Sequence, residues 1–318
     1  MMPILFHIPG TDIPIYSYGL MMVVGFLASI QLGKYLARRY GFDPELFVNI
    51  GLIALVTGVV GARLSHVLEN LPEYTSASRS FRENLWAAIN IRSGGLTYYG
   101  GFLLAFPSLL YYAIKKKIPL RFGMDMVAPC LMIGLAFGRI GCFLNGCCYG
   151  AVCEMPWAVT FPYASIPYTD QVKDGELAAP PELIKTDENR DRLVEPAELQ
   201  ARPALAEIAA HEHSLPLHPA QLYSAFTALL ICALCLAYFT MPHAPGRVFA
   251  LMLIVEGITR FLLELLRIEP PVVHLAGYGL SLSMVLGISF VALGLVLWIL
   301  FGKRAPQPAQ GFPVVATT

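Results

Sequence analysis

Residues 279–301 read GLSLSMVLGISFVALGLVLWILF, twenty-three positions without one charged side chain. A helix apolar on every face is either the centre of a large core or a segment set in lipid. About 20 mostly apolar residues are the length that crosses a bilayer. Working back from this stretch, similar runs lie near 17–37, 46–68, 95–114, 124–145, 220–240 and 247–266. The run at 95–114 has the least regular pattern, opening with Gly94-Gly95 and Gly100-Gly101. Glycine is tolerated in membrane helices where backbones approach closely. We therefore expect an all-α integral membrane protein with a bundle of about seven transmembrane helices. Composition agrees: the 318 residues are 56% hydrophobic and only 14% charged, against roughly 25% charged in a soluble domain. Lysine plus arginine and aspartate plus glutamate both number 22. Nothing in that balance points to nucleic acid, which calls for a basic patch.

The charges are uneven along the chain, and that sets an orientation. Lys34, Arg38 and Arg39 follow the first run, Lys115, Lys116, Lys117 and Arg121 the third, Arg247 the fifth, and Lys303 and Arg304 the seventh. All four groups fall on one side of a seven-span bundle. Basic loops stay cytoplasmic, so the N-terminus is expected outside and the C-terminus inside. The segment 151–218 is then external. It holds twelve acids against five bases, which suits an acidic head or insertion, with a short helix near 195–213. The expected division is four spans and their closing loop in 1–150, the head in 151–218, three spans in 219–302 and a cytoplasmic tail in 303–318. The N-terminus lacks a basic n-region and a small-residue cleavage site, so the first run is expected to be retained rather than removed as a signal peptide. No internal repeat is visible, which disfavours a transporter of inverted halves.

Ionisable residues within spans are costly and point to function by default. Arg63, Arg139 and Arg260 each lie near the outer end of an outward-running span. Tyr98 and Tyr99 open the third span, Tyr18 the first and His218 the fifth, all on the outer side in this orientation. A single arginine usually snorkels to headgroups or pairs with a carboxylate; three at similar depth suggest a site. Glu256, Arg260 and Glu264 are spaced i, i+4, i+8, and Arg267 follows Glu264 by three, so they share a helical stripe and can pair along it. Such a ladder is structural, or holds Arg260 in a fixed pose, or both. Guanidinium donates two parallel hydrogen bonds to phosphate. The residues thus describe an outward-facing pocket for an anionic lipid, without saying whether the lipid is bound, moved or cleaved.

The motifs resemble those of bacterial prolipoprotein diacylglyceryl transferases. Gly138-Arg139-Ile140-Gly141-Cys142-Phe143-Leu144-Asn145-Gly146, ending at Gly150, resembles the family signature. Tyr18-Gly19-Leu20-Met21, Gly61-Ala62-Arg63, Gly94-Gly95-Leu96-Thr97-Tyr98-Tyr99-Gly100-Gly101, His218-Pro219-Ala220-Gln221-Leu222-Tyr223 and the set Arg260, Glu264, Arg267 follow in the family's order. The resemblance covers the chain except much of 154–216. It implies transfer of diacylglyceryl from phosphatidylglycerol to the thiol of a lipobox cysteine in a prolipoprotein signal peptide, at the outer side of the bacterial inner membrane, with glycerol 1-phosphate released. It implies no cofactor and no metal. Arg139, Arg260, Tyr99 and Glu264 are then the expected catalytic residues. Tyr18, Arg63, Asn145, Gly150, His218, Gln221, Tyr223 and Arg267 are expected to contact substrate.

Two departures from the family pattern bear on the chemistry. Tyr99 stands where well-studied members have a histidine often assigned as the base, and a phenol is a poor base at neutral pH. Tyr99 is then a hydrogen-bond donor while Glu264 or His218 takes the proton; or an acidified thiol needs no base; or activity is lost and the chain is a lipid-binding or lipid-moving membrane protein. Cys142 and Cys147 replace a typical asparagine and glutamate. The run Cys142, Cys147-Cys148, Cys153 lacks the C-x₂-C pair usual in zinc sites. Small apolar packing with one outer disulfide is the expectation, with a metal or redox role, joined by His211 and His213, as the other reading.

Overall fold

The computed structural model describes residues 4–7, 14–75, 80–90, 95, 97–187, 190–199, 201–267, 271–275 and 278–302. The expected tail at 303–318, with Lys303 and Arg304, lies outside these, as do Gly94 and Leu96 of the glycine-tyrosine motif. In chain order the elements are β1 (Ile4–His7), β2 (Pro14–Tyr16), α1 (Ser17–Arg39), α2 (Glu45–Glu69), α3 (Leu71–Tyr74), α4 (Phe81–Ile89), α5 (Tyr98–Lys115), α6 (Leu120–Asn145), α7 (Ile166–Lys173), β3 (Ile184–Asp187), β4 (Arg190–Leu193), α8 (Pro196–Leu199), α9 (Pro203–His211), α10 (Ala220–Phe239), α11 (Arg247–Glu264), β5 (Val273–Leu275), β6 (Tyr278–Leu280) and α12 (Leu282–Gly302).

All seven apolar runs are helices: α1, α2, α5, α6, α10, α11 and α12. Five of these, α1, α2, α6, α10 and α12, are long and apolar enough to cross a membrane. The other two are 18 residues each. Helix α5 is diluted by four tyrosines and Pro107, and α11 by Arg247, Glu256, Arg260 and Glu264. Large apolar side chains stand exposed along the helices, among them Leu27, Val56, Leu103, Phe226 and Ile299. That is the reverse of a water-soluble surface and is what a lipid-facing one requires. The mostly helical structure agrees with the all-α expectation, with short strands added. Among the described residues, three antiparallel two-stranded hairpins accompany the helices: β1–β2 before α1, β3–β4 between α6 and α10, and β5–β6 between α11 and α12. One of them delays the seventh run: Tyr278–Leu280 pair with Val273–Leu275. The helix then starts at Leu282, where the Ser281 hydroxyl accepts the Met284 amide (3.2 Å).

The chain divides into two compact units, residues 1–29 with 128–305, and residues 30–127 with 306–318. In the first, α11 packs on α12 through glycines. A Cβ on Gly257 would sit 2.5 Å from the Gly287 carbonyl oxygen, and one on Gly294 2.9 Å from that of Ala250. Only hydrogen fits between backbones so close. The start of α1 lies against α6 in the same way, with a Gly25 Cβ meeting Phe137 Cβ at 2.8 Å. The head is built on buried Phe161, Tyr168 and Leu217 and a cluster of Leu183, Val194, Leu199 and Ala209. The short helix expected near 195–213 is present as α8 and α9, the second opening on Pro203, where a missing amide hydrogen costs nothing.

In the second unit α2 packs on α5 through Gly58, Gly61, Gly100 and Gly101; a Cβ on Gly101 would meet the Gly58 carbonyl at 2.9 Å. Helix α4 was not expected. It begins with a reciprocal cap, Ser80 N donating to Glu83 Oε2 (2.7 Å) and Glu83 N to Ser80 Oγ (3.3 Å).

Candidate active site

Helix α11 carries the ladder. Its 3.6-residue period turns Glu256, Arg260 and Glu264 to one side, where they line a cavity with Arg139, Cys148, Ser224, Thr227, Thr259 and Arg267. Both carboxylates are buried, Glu256 at 9% and Glu264 at 4% exposure. A buried charge must be paired to survive there. Glu264 is: its Oε2 accepts from Arg267 Nη1 (3.3 Å) and its Oε1 from the Ser281 hydroxyl (2.8 Å). The pairing along the stripe is therefore between Glu264 and Arg267. Arg260 differs. Among the described residues its buried Nε has no hydrogen-bond partner, and neither Arg260 nor Arg139 has a carboxylate within ion-pair distance.

The loop after α6 closes the cavity. Gly146 reverses the chain at φ 77°. Gly150 N donates to His218 O (3.0 Å), His218 N to Ala151 O (3.0 Å), and Ala151 N to Leu266 O (2.8 Å). A Cβ on Gly150 would fall 2.7 Å from His218 Cβ and 2.8 Å from the Leu266 oxygen, so the strand passes only as glycine. Gln221 is fully buried and donates Nε2 to the Cys147 carbonyl (2.7 Å). The loop is thus tied to the start of α10 and the end of α11. His218 Nδ1 lies 3.4 Å from the Tyr223 hydroxyl, which accepts from Trp157 Nε1 (2.6 Å). Tyr18 stands against α6, its ring 3.2 Å from where a Gly141 Cβ would be. Asn145 ends α6, and the Cys147 thiol that follows it donates to the Cys142 carbonyl (3.7 Å).

One unit therefore holds Tyr18, Arg139, Asn145, Gly150, His218, Gln221, Tyr223, Arg260, Glu264 and Arg267. Two further residues of this framework escaped the sequence reading. Ser281 is the second hydrogen-bond partner of Glu264; it lay inside the run read as 279–301 and became a cap position only because the helix starts at Leu282. Trp157 holds Tyr223 and left no signal.

Three cysteines also converge. The Sγ atoms of Cys142, Cys147 and Cys148 lie within 4.8 Å of one another. Cys153 is outside this group, and all four are free thiols, so the expected outer disulfide is not formed. Hydrogen bonds from the Cys142 and Cys147 thiols, then the charges of Arg267 and Arg139, hold the Cys148 thiol far below the usual range.

Arg63 and Tyr99 belong to the other unit. Arg63 is buried and donates to three carbonyls: Nε to Ala88 (2.8 Å), Nη2 to Ala87 (2.7 Å) and Nη1 to Gly95 (2.9 Å). It also lies over the Tyr74 ring, 5.4 Å from its centroid. A cation on the last carbonyls of a helix satisfies both their lone pairs and the dipole. Arg63 thereby caps α4 and holds Gly95. Tyr99 is exposed in the first turn of α5.

Comparison with known proteins places the chain in a family. A family profile described as prolipoprotein diacylglyceryl transferase matches residues 3–300. A phosphatidylglycerol–prolipoprotein diacylglyceryl transferase of Xanthomonas axonopodis pv. citri is 29% identical over 96% of this chain and 93% of its own. One of Paraburkholderia xenovorans is 30% identical over 92% and 91%. One of Rhodopirellula baltica is 34% identical over 52% of this chain, which spans only 33% of that relative's length.

Proposed function

The chain belongs to the prolipoprotein diacylglyceryl transferase family, and from that premise we propose that it moves diacylglyceryl from phosphatidylglycerol to the thiol of a prolipoprotein lipobox cysteine. A carbon–sulfur bond forms at the glyceryl carbon. The carbon–oxygen bond to phosphate breaks, glycerol 1-phosphate leaves with the electron pair, and the thiol proton passes to solvent or to the leaving phosphate. The names of the full-length relatives support both substrates.

The observation that carries the reading is the α11 cavity, where Arg260 keeps an unpartnered buried Nε and shares the walls with Arg139. Donors already aimed at growing negative charge, in a site with little water, lower a barrier most. Arg139 and Arg260 bind the phosphate and stabilise the leaving oxyanion. Glu264, taken up by Arg267 and Ser281, is an anchor that fixes Arg267 at the rim. Gly150 and Gln221 shape the loop, and Tyr18, Asn145, His218 and Tyr223 line the approach. Arg63 acts by holding its own segment in place, and Tyr99 as a hydrogen-bond donor to substrate.

The seven helices α1, α2, α5, α6, α10, α11 and α12 span the bacterial inner membrane. The grouping of basic residues puts the N-terminus outside, the C-terminus in the cytoplasm, and the site on the outer side. The test is transfer itself, with the full chain in detergent, phosphatidylglycerol, and a lipobox peptide carrying cysteine or serine. Glycerol phosphate is expected only with the cysteine peptide. Phosphatidylglycerol bound but never cleaved, with either peptide, overturns the reading.

A further inference from the structure

We propose that Cys142, Cys147 and Cys148 form a binding site for one thiophilic d¹⁰ metal ion, of the zinc or cadmium class, in the wall of the arginine cavity. Three Sγ atoms already lie within 4.8 Å of one another. Zinc–sulfur bonds of about 2.3 Å put bound sulfurs roughly 4 Å apart, so the cluster needs to close by less than about 1 Å. The donor set is all sulfur, which selects soft ions over magnesium, calcium or manganese.

The convergence is built by the backbone. Cys142 lies in the last turn of α6, and the other two lie beyond it. Gly146 turns the chain at φ 77°, and Cys148 is held at φ 59°, a left-handed conformation that is unfavourable for a residue with a side chain. Cys147 N donates to Cys142 O (3.1 Å). The buried Gln221 amide fixes the Cys147 carbonyl (2.7 Å). The Gly146 turn and the Cys147 N–Cys142 O bond are the left-handed cap that ends α6; the positive φ of Cys148, a residue with a side chain, is not part of that cap and brings the third thiol to the other two. The charge also closes: three thiolates around a divalent ion carry one net negative charge, and Arg139 and Arg267 line the same cavity as Cys148.

Three protein sulfurs leave a tetrahedral ion one open position, and Cys148 itself lines the cavity. A thiol that binds such an ion is deprotonated outright. In the reading proposed above, which this consequence alone rests on, the acceptor cysteine takes that position: a metal–sulfur bond forms and the thiol proton passes to solvent. That supplies a nucleophilic thiolate to a chain with tyrosine at position 99.

The experiment uses the full chain in detergent, reduced and stripped of metal, titrated with cadmium(II) and read by sulfur-to-cadmium charge-transfer absorption. The band is expected to saturate at one cadmium per chain and to protect three thiols from a thiol-blocking reagent. Cys142→Ser and Cys148→Ser should each weaken cadmium by on the order of 100-fold, and Cys153→Ser should change nothing. Thiol protection in the unmodified chain needs no variant to fold. No saturable band, an undiminished band in the triple serine variant, or recovery of two of the three cysteines as a disulfide without metal uptake overturns the site. Cadmium binding without transfer leaves the metal site standing and removes only the transferase reading.

Discussion

Two arginines with the same sequence signature have different fates. Arg63 in α2 and Arg260 in α11 each sit near the end of an apolar helix, with glycine nearby. Arg63 gives three hydrogen bonds to carbonyls 24 to 32 residues away, and a ring covers it. Arg260 has a buried Nε without a partner among the described residues and opens onto a cavity. An arginine inside a membrane helix is thus no ligand site by itself. What decides is whether the fold has already taken up its donors.

The comparison breaks most sharply at Arg260. Arg260→Ala should reduce glycerol phosphate release by about a thousandfold, the size seen when a donor to a developing oxyanion is removed. Thermal stability in detergent should change little. Undiminished release would falsify the assignment of that guanidinium to phosphate. Arg63→Ala should show the opposite balance. Three carbonyls lose a charged donor, which predicts a loss of about 2–4 kcal/mol in stability, read as a lower unfolding temperature, with activity per folded molecule falling less than for Arg260→Ala. An unchanged unfolding temperature with abolished transfer would make the two arginines equivalent after all. Tyr99→Phe should have the smallest effect, less than about tenfold on kcat/KM, since one neutral hydrogen bond is removed. A loss equal to that of Arg260→Ala would make the phenol a participant in the chemistry.

The long helices were legible because apolar length is a local property: α2 is found at Glu45–Glu69 for an expected 46–68, and α10 at Ala220–Phe239 for 220–240. The α11 stripe was legible for the same reason, since i, i+4 spacing fixes a face whatever surrounds it. Its pairing was less so. Glu264 takes Arg267 and Ser281, and the serine enters only once β5–β6 turns the chain back. Helix α4 carried its own signal in Ser80 and Glu83, hidden by the larger hydropathy features on either side. The carbonyls that occupy Arg63 are set by tertiary packing and leave no trace in spacing. The three cysteines are an intermediate case. Their crowding was plain, but the convergence of Cys142 with Cys147 and Cys148 depends on two left-handed residues, only one of them a glycine.

The glycine contact between α11 and α12 bears on how the chain is made. Helix α11 carries Arg247, Glu256, Arg260 and Glu264, and each charge near mid-membrane opposes insertion by about 2.5–3.5 kcal/mol on a translocon scale. Helix α12 follows after a short hairpin and has the highest mean hydropathy of the candidate spans, 2.6. On the seven-span reading proposed above, Gly257, Gly287 and Gly294 let the two backbones touch, and the pair would leave the translocon as one helical hairpin, the uncharged member carrying the charged one into lipid. A bulky residue at Gly287 would then be felt first during biosynthesis, as a nascent chain that stalls or is degraded, before any question of catalysis arises.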